Sequence, residues 1–101
     1  MFVLELTYTG TTERIDALLP AHVAWLDAHY ASGTFLASGR KNPRDGGVIL
    51  AAGADRAAIE ALTRTDPFAT EGVCAYRITQ FYATKTAPEL EPFREQLPVA
   101  N

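Results

Sequence analysis

The sequence predicts an α+β domain with β-α-β-β-α-β order: a ferredoxin-like, four-stranded antiparallel sheet with helices on one face. Three observations carry this. Residues 2–9 alternate with period two, and residues 73–83 are rich in β-branched and aromatic side chains. Apolar residues between 19 and 30 recur at helical spacing. Two short apolar runs, 34–41 and 47–52, flank an Asp45-Gly46 turn, so they are expected to pair as a hairpin.

Taken in order, Phe2, Leu4, Leu6 and Tyr8 share one face of the first strand, against Val3, Glu5, Thr7 and Thr9. Gly10-Thr11-Thr12 ends it. Thr11 or Thr12 can cap the helix that follows, with Glu13 in the first turn, where the helix dipole favours negative charge. Residues 13–32 are helical by pattern, with Leu19, Val23, Leu26 and Tyr30 as the apolar stripe. Pro20 predicts a break there, into a short turn at 12–18 and a main helix from 20 to 32, because proline in a helix interior costs about 3 kcal/mol. Gly33 fits a left-handed helix end.

Asn42-Pro43-Arg44-Asp45-Gly46-Gly47 forms the turn between the middle strands. Asp55 caps a helix over 56–64, with Ile59 and Leu62 facing inward. Asp66-Pro67-Phe68 opens another helical turn, aspartate at the cap and proline at the first position, and Gly72 closes it. The fourth strand reads as apolar on both faces: Val73, Ala75 and Phe81 on one, Cys74, Tyr76, Ile78 and Tyr82 on the other. A sheet with a second apolar face calls for a covering partner, and a second copy of the chain is the economical one, so a homodimer is expected. Residues 1–84 are read as the domain and 85–101 as a tail, with a short helix near Pro92–Gln96 that packs on a partner subunit.

Composition narrows the function. The net charge is −3 and there is no basic run, which disfavours nucleic acid. The N-terminus lacks a basic region and cleavage site, and no apolar run is long enough to span a bilayer. A lone cysteine, Cys74, makes no internal disulfide and reads as a small buried hydrophobe. The expectation is a soluble, cytoplasmic protein that neither inserts in membranes nor needs a cofactor.

Motifs for phosphate loops, nucleophile elbows and zinc helices are absent. His22 and His29 lie near one helix face, but no ligand set accompanies them, so no metal is expected. His22 can transfer protons near neutrality if a carboxylate orients it, but its spacing alone favours a half-buried residue packing on the helix flank. Asp66 reads as a helix cap, and one carboxylate oxygen can cap while the other faces a pocket. Ser38-Gly39 within a strand marks a bulge or a close approach, by a ligand or by packing. Trp25 and Tyr8 suit either pocket or core. Arg40, Lys41 and Arg44 form a small basic cluster, either solvated surface or an anchor for an acidic small molecule.

These motifs stand in a familiar order. His22-x-x-Trp25-Leu26, Gly33-x-Phe35-Leu36-x-Ser38-Gly39, Gly46-Gly47-Val48-Ile49-Leu50, Asp66-Pro67-Phe68 and Gly72 together resemble the YCII-related (YciI-like) family over residues 1–84. The resemblance implies the dimeric α+β barrel superfamily, with two sheets packed face to face. It also implies a pocket with a His–Asp dyad, which falls here on His22 and Asp66. Most members have no established activity; a few relatives act as lyases or isomerases on muconolactone-type compounds, including by dehydrochlorination. The family often has proline after Ser-Gly, where this chain has Arg40.

Two functions follow as expectations. One is a cofactor-free lyase or isomerase acting on a small carbonyl or lactone compound, with His22 and Asp66 catalytic and Ser38, Gly39 and Arg40 binding substrate. The other is a non-enzymatic dimeric module that holds a small metabolite in the same pocket.

Overall fold

The computed structural model describes residues 1–98 and arranges four strands in the antiparallel order β2-β3-β1-β4. The strands are β1 (Phe2–Tyr8), β2 (Phe35–Arg40), β3 (Gly46–Ala51) and β4 (Cys74–Gln80). The helices are α1 (Thr12–Ala31), α2 (Arg56–Thr63) and α3 (Pro67–Thr70). This is the ferredoxin-like α+β arrangement, with β1 central between β3 and β4. The last three residues of the 85–101 tail lie outside those described.

The alternation of β1 sets the core. Phe2, Leu4 and Leu6 are almost fully buried, beside Ile49 and Ala51 of β3, beneath Ile15, Ile59 and Phe68 of the helices. Each of the leucine, isoleucine and phenylalanine side chains contributes about 1.5–3 kcal/mol by leaving water. At the β2–β3 turn, a Cβ on Gly46 would sit 1.8 Å from the Leu6 carbonyl oxygen, so only glycine lets β3 pair this closely with β1.

Helix α1 is one continuous helix through Pro20, not the two segments its proline predicts. Pro20 is exposed, as is Asp16, whose carbonyl loses its helical donor to the proline. Burial of Ile15, His22 and Trp25 on both sides of it favours a single continuous element over the local cost. The face that meets the sheet also differs from the apolar stripe. Leu19 and Leu26 are only half-buried, while Val23 and Tyr30 are 43% and 37% exposed. The stripe lies on the flank of α1, because His22 and Trp25, which hydropathy counts as polar or amphipathic, occupy the buried side.

Strand β2 carries an irregularity that matters below. Phe35 pairs with Ala51 but Ala37 with Leu50 and Ser38 with Ile49, so Leu36 is the extra residue of a bulge. The bulge moves Ser38 and Arg40, rather than Ala37 and Gly39, onto the face shared with Ile49 and Gly47. Gly39 is not the bulge, and its missing side chain faces open space.

The fourth strand is shorter than expected and not apolar on both faces. Arg77 and Thr79 stand exposed between Ala75 and Phe81 on the outer face, with Arg77 opposite Glu5. Val73 precedes the strand and is fully buried. The tail forms a 3-10 helix at Pro88–Phe93, upstream of the expected position because Pro88 starts it. It folds back on its own chain. Phe93 packs against Met1, Ala52 and Ala83, and Glu95 bonds the Met1 ammonium and the Ala83 N–H. No helix among the described residues is long and apolar enough to cross a membrane.

Candidate functional site

Asp66 is placed by the turn between α2 and α3. Its backbone is extended, Pro67 opens the next helical turn, and Oδ1 accepts the Phe68 N–H at 3.0 Å as a helix cap. Capping this turn carries the carboxylate inside, where it is 0% exposed. Two further donors reach it there. His22 Nδ1 lies 2.8 Å from Oδ1, and the Tyr76 hydroxyl donates to Oδ2 at 2.5 Å. An unpartnered carboxylate at this depth would cost several kcal/mol, so the three donors from α1, α3 and β4 are what make its burial tolerable. Burial, then the Asp66 charge, push the Tyr76 phenol above the ordinary range, which keeps it protonated and donating.

His22 is 9% exposed and stacks nearly parallel on Phe68, with ring centroids 4.1 Å apart. Trp25, one turn on, lies 5.7 Å from it and donates from Nε1 to Thr65 Oγ1 at 2.8 Å, tying α1 to the α2–α3 turn. A carboxylate can only accept, so in the neutral imidazole the proton sits on Nδ1 and the lone pair on Nε2. Nε2 has no hydrogen-bond partner among the described residues and is not sealed from solvent. Such an arrangement, a carboxylate fixing one ring nitrogen while the other is left free, is one in which an imidazole can accept a proton.

His22 opens on a cavity of about 150 Å³ between α1 and the β2–β3 hairpin. That is about the space a single benzene-sized ring needs. Leu6 and Ile49 of the sheet and Leu19, Val23 and Leu26 of the helix flank make its apolar walls. The α1 stripe thus lines a cavity instead of filling the core. Ser38, Gly39 and Arg40 border the same space, and the Tyr30 hydroxyl holds Ser38 Oγ at 2.6 Å. Asp66 does not line the cavity; its link to that space is the bond to His22.

Tyr76 escaped the sequence reading as a site residue. The available signal was its place on the inner face of β4, where a buried phenol needs a partner for its hydroxyl. Nothing in the sequence marked which partner. The histidines do not form a metal set: no group of three or more His, Cys, Asp or Glu side chains converges among the described residues. Cys74 is half-buried, and burial, then the Asp66 charge, raise its thiol to about 12, so it stays an unreactive thiol at neutral pH. The basic cluster divides. Lys41 pairs with Glu5 and Asp45 and Arg44 with Asp16, whereas Arg40 has no ion pair among the described residues.

The family model for the YCII-related domain matches residues 1–82. Comparison with the curated proteins finds no match. Among solved structures, the 5-chloro-2-hydroxyhydroquinone dehydrochlorinase TftG of Burkholderia phenoliruptrix AC1100, in complex with 2,5-dihydroxybenzoquinone, is similar with a TM-score of 0.67 and 16% identity. The similarity covers 80% of this chain and 93% of that one. At that identity the likeness establishes a shared fold.

Proposed function

The chain belongs to the YCII-related domain family, and on that premise we propose that it is a lyase or isomerase that performs acid–base chemistry on a small carbonyl, quinol or lactone compound. The observation that carries this reading is the 2.8 Å His22–Asp66 bond behind a ring-sized cavity. His22 Nε2 takes a proton from a substrate C–H or O–H activated by a neighbouring carbonyl. Asp66 fixes the tautomer and stabilises the imidazolium that forms. The electron pair released moves into the substrate. It expels a leaving anion in an elimination, or the proton returns at another atom in an isomerisation. Both outcomes balance without an oxidant or reductant. The same-fold neighbour, a dehydrochlorinase, makes a chlorinated hydroxyhydroquinone a sensible first probe.

The working form under this proposal is a homodimer joined through the outer sheet face. Val48 and Phe81 stand 38% and 40% exposed there, beside half-buried Val3 and Leu50. Static light scattering at micromolar concentration is expected to give twice the chain mass; a stable monomer removes the dimer.

Turnover is tested with 5-chloro-2-hydroxyhydroquinone and small unsaturated lactones, following absorbance and released chloride. His22→Gln is expected to lower kcat by about 10²-fold or more, the usual contribution of a positioned acid–base group. Asp66→Asn is expected to lower it less. Full turnover in both variants overturns the dyad. Ligand binding without turnover across the panel replaces the enzyme with a metabolite-binding module.

A further inference from the structure

We propose that the cavity selects an anionic ring compound and that Arg40 is the group that selects it. The proposal rests on the cavity being the ligand site and adds the charge class of the ligand.

Three observations converge on Arg40. The bulge at Leu36 puts it on the helix-side face of β2, paired with Gly47, and both residues line the cavity. Its neighbours in the basic cluster are paired with carboxylates, and among the described residues it is not. Among the described residues no aspartate, glutamate or lysine lines the cavity, so Arg40 is the only permanently charged side chain there, beside walls that are mostly apolar. In a protein of net charge −3 this is a local reversal of sign. Apolar walls strengthen the field of a single guanidinium, and its planar donors suit a carboxylate or phenolate. Ser38 adds a second donor. Its oxygen already accepts from Tyr30, which leaves the hydroxyl proton for a ligand oxygen. An anion held by Arg40 and Ser38 shares the cavity with His22, so the ring it carries lies beside the proposed base.

The test uses benzoate and benzamide, which match in shape and differ in charge. Each is titrated into the wild-type protein and into Arg40→Gln, with the His22 ring resonances as the readout. Benzoate is expected to shift His22 and to bind at least about tenfold more tightly than benzamide, the effect of one charge-assisted hydrogen-bonded contact. Arg40→Gln is expected to weaken benzoate about tenfold and leave benzamide unchanged, while Arg40→Lys recovers part of the loss. Added salt should weaken benzoate alone. Equal binding of the two compounds, or a charge preference that survives Arg40→Gln and so belongs to His22, overturns the assignment while the cavity remains a ligand site. No His22 shift with either compound removes the cavity as a ligand site, and the Arg40 proposal falls with it. Arg40 is exposed, and an unchanged amide spectrum of Arg40→Gln away from the cavity shows that the fold is intact.

Discussion

Helix α1 carries two histidines, about two turns apart, and both rings lie against Trp25, yet their surroundings differ. His22 lies 5.7 Å from the Trp25 ring and is bonded to a sealed carboxylate. His29 lies 5.1 Å from the same ring on the other side, against Phe35, and its imidazole has no hydrogen-bond partner among the described residues. Burial alone acts on it and lowers its pKa. The residue type is therefore not what makes a proton-transfer position. A proton-transfer position needs a fixed acceptor behind the ring and open space before it, and of the two histidines His22 has the acceptor and lines the cavity.

The largest effect that would break this contrast is on stability. Asp66→Ala strands the Tyr76 hydroxyl, the His22 Nδ1–H and the Phe68 N–H together and removes a helix cap. Its expected cost is about 3 kcal/mol in urea unfolding. His29→Ala, which strands no hydrogen bond, is expected to cost well under half of that. Equal costs would mean that the carboxylate organises nothing that packing around Trp25 does not.

Tyr76→Phe comes next. It removes one donor from a carboxylate that cannot reach water, and about 2 kcal/mol is expected. Tyr82→Phe, at a 44% exposed site, serves as the control and should be near neutral. If the two variants match, the 2.5 Å contact to Oδ2 contributes nothing. Nitrogen spectra of the two imidazoles then refine the comparison without perturbing it. In its neutral form His22 is expected to carry the proton on Nδ1, whereas His29, with no acceptor to choose for it, should show the Nε2–H form that free histidine prefers. A His22 protonated on Nε2 would aim the wrong nitrogen at the cavity and exclude it as a base.

How much of this could be read beforehand follows the range of the interactions. The alternation of β1, the hairpin pairing of β2 with β3 and the caps at Asp55 and Asp66 are local, and each stood where its residues placed it, although Gly46 is the first residue of β3 and not part of the turn. What the sequence hid is long-range. Pro20 stays helical because of what its helix packs on, and β2 bulges at Leu36, a residue with no local signature for it. Hydropathy placed the α1 stripe in the core, but two aromatic nitrogen-bearing side chains took that face. The His22–Asp66 contact spans 44 residues, and local physics made each residue a structural one; their pairing came from a resemblance in motif order. Tyr76, which completes the carboxylate's set of donors, had no such guide.

The smallest effect concerns His29 and acid. Because burial lowers its pKa in the folded state from 6.5, the unfolded chain takes up the proton first as pH falls. Stability is then complete above about pH 6.5 and declines as the solution is acidified through that value, since protons favour the state that binds them. His29→Gln carries no titrating group and is expected to flatten this part of the profile slightly in urea midpoints taken at half-unit steps between pH 5 and 7.5. A variant whose profile overlays the parent would mean that His29 is as well solvated in the fold as out of it. The contrast with His22 would then be one between a held histidine and a free one, not between two buried ones.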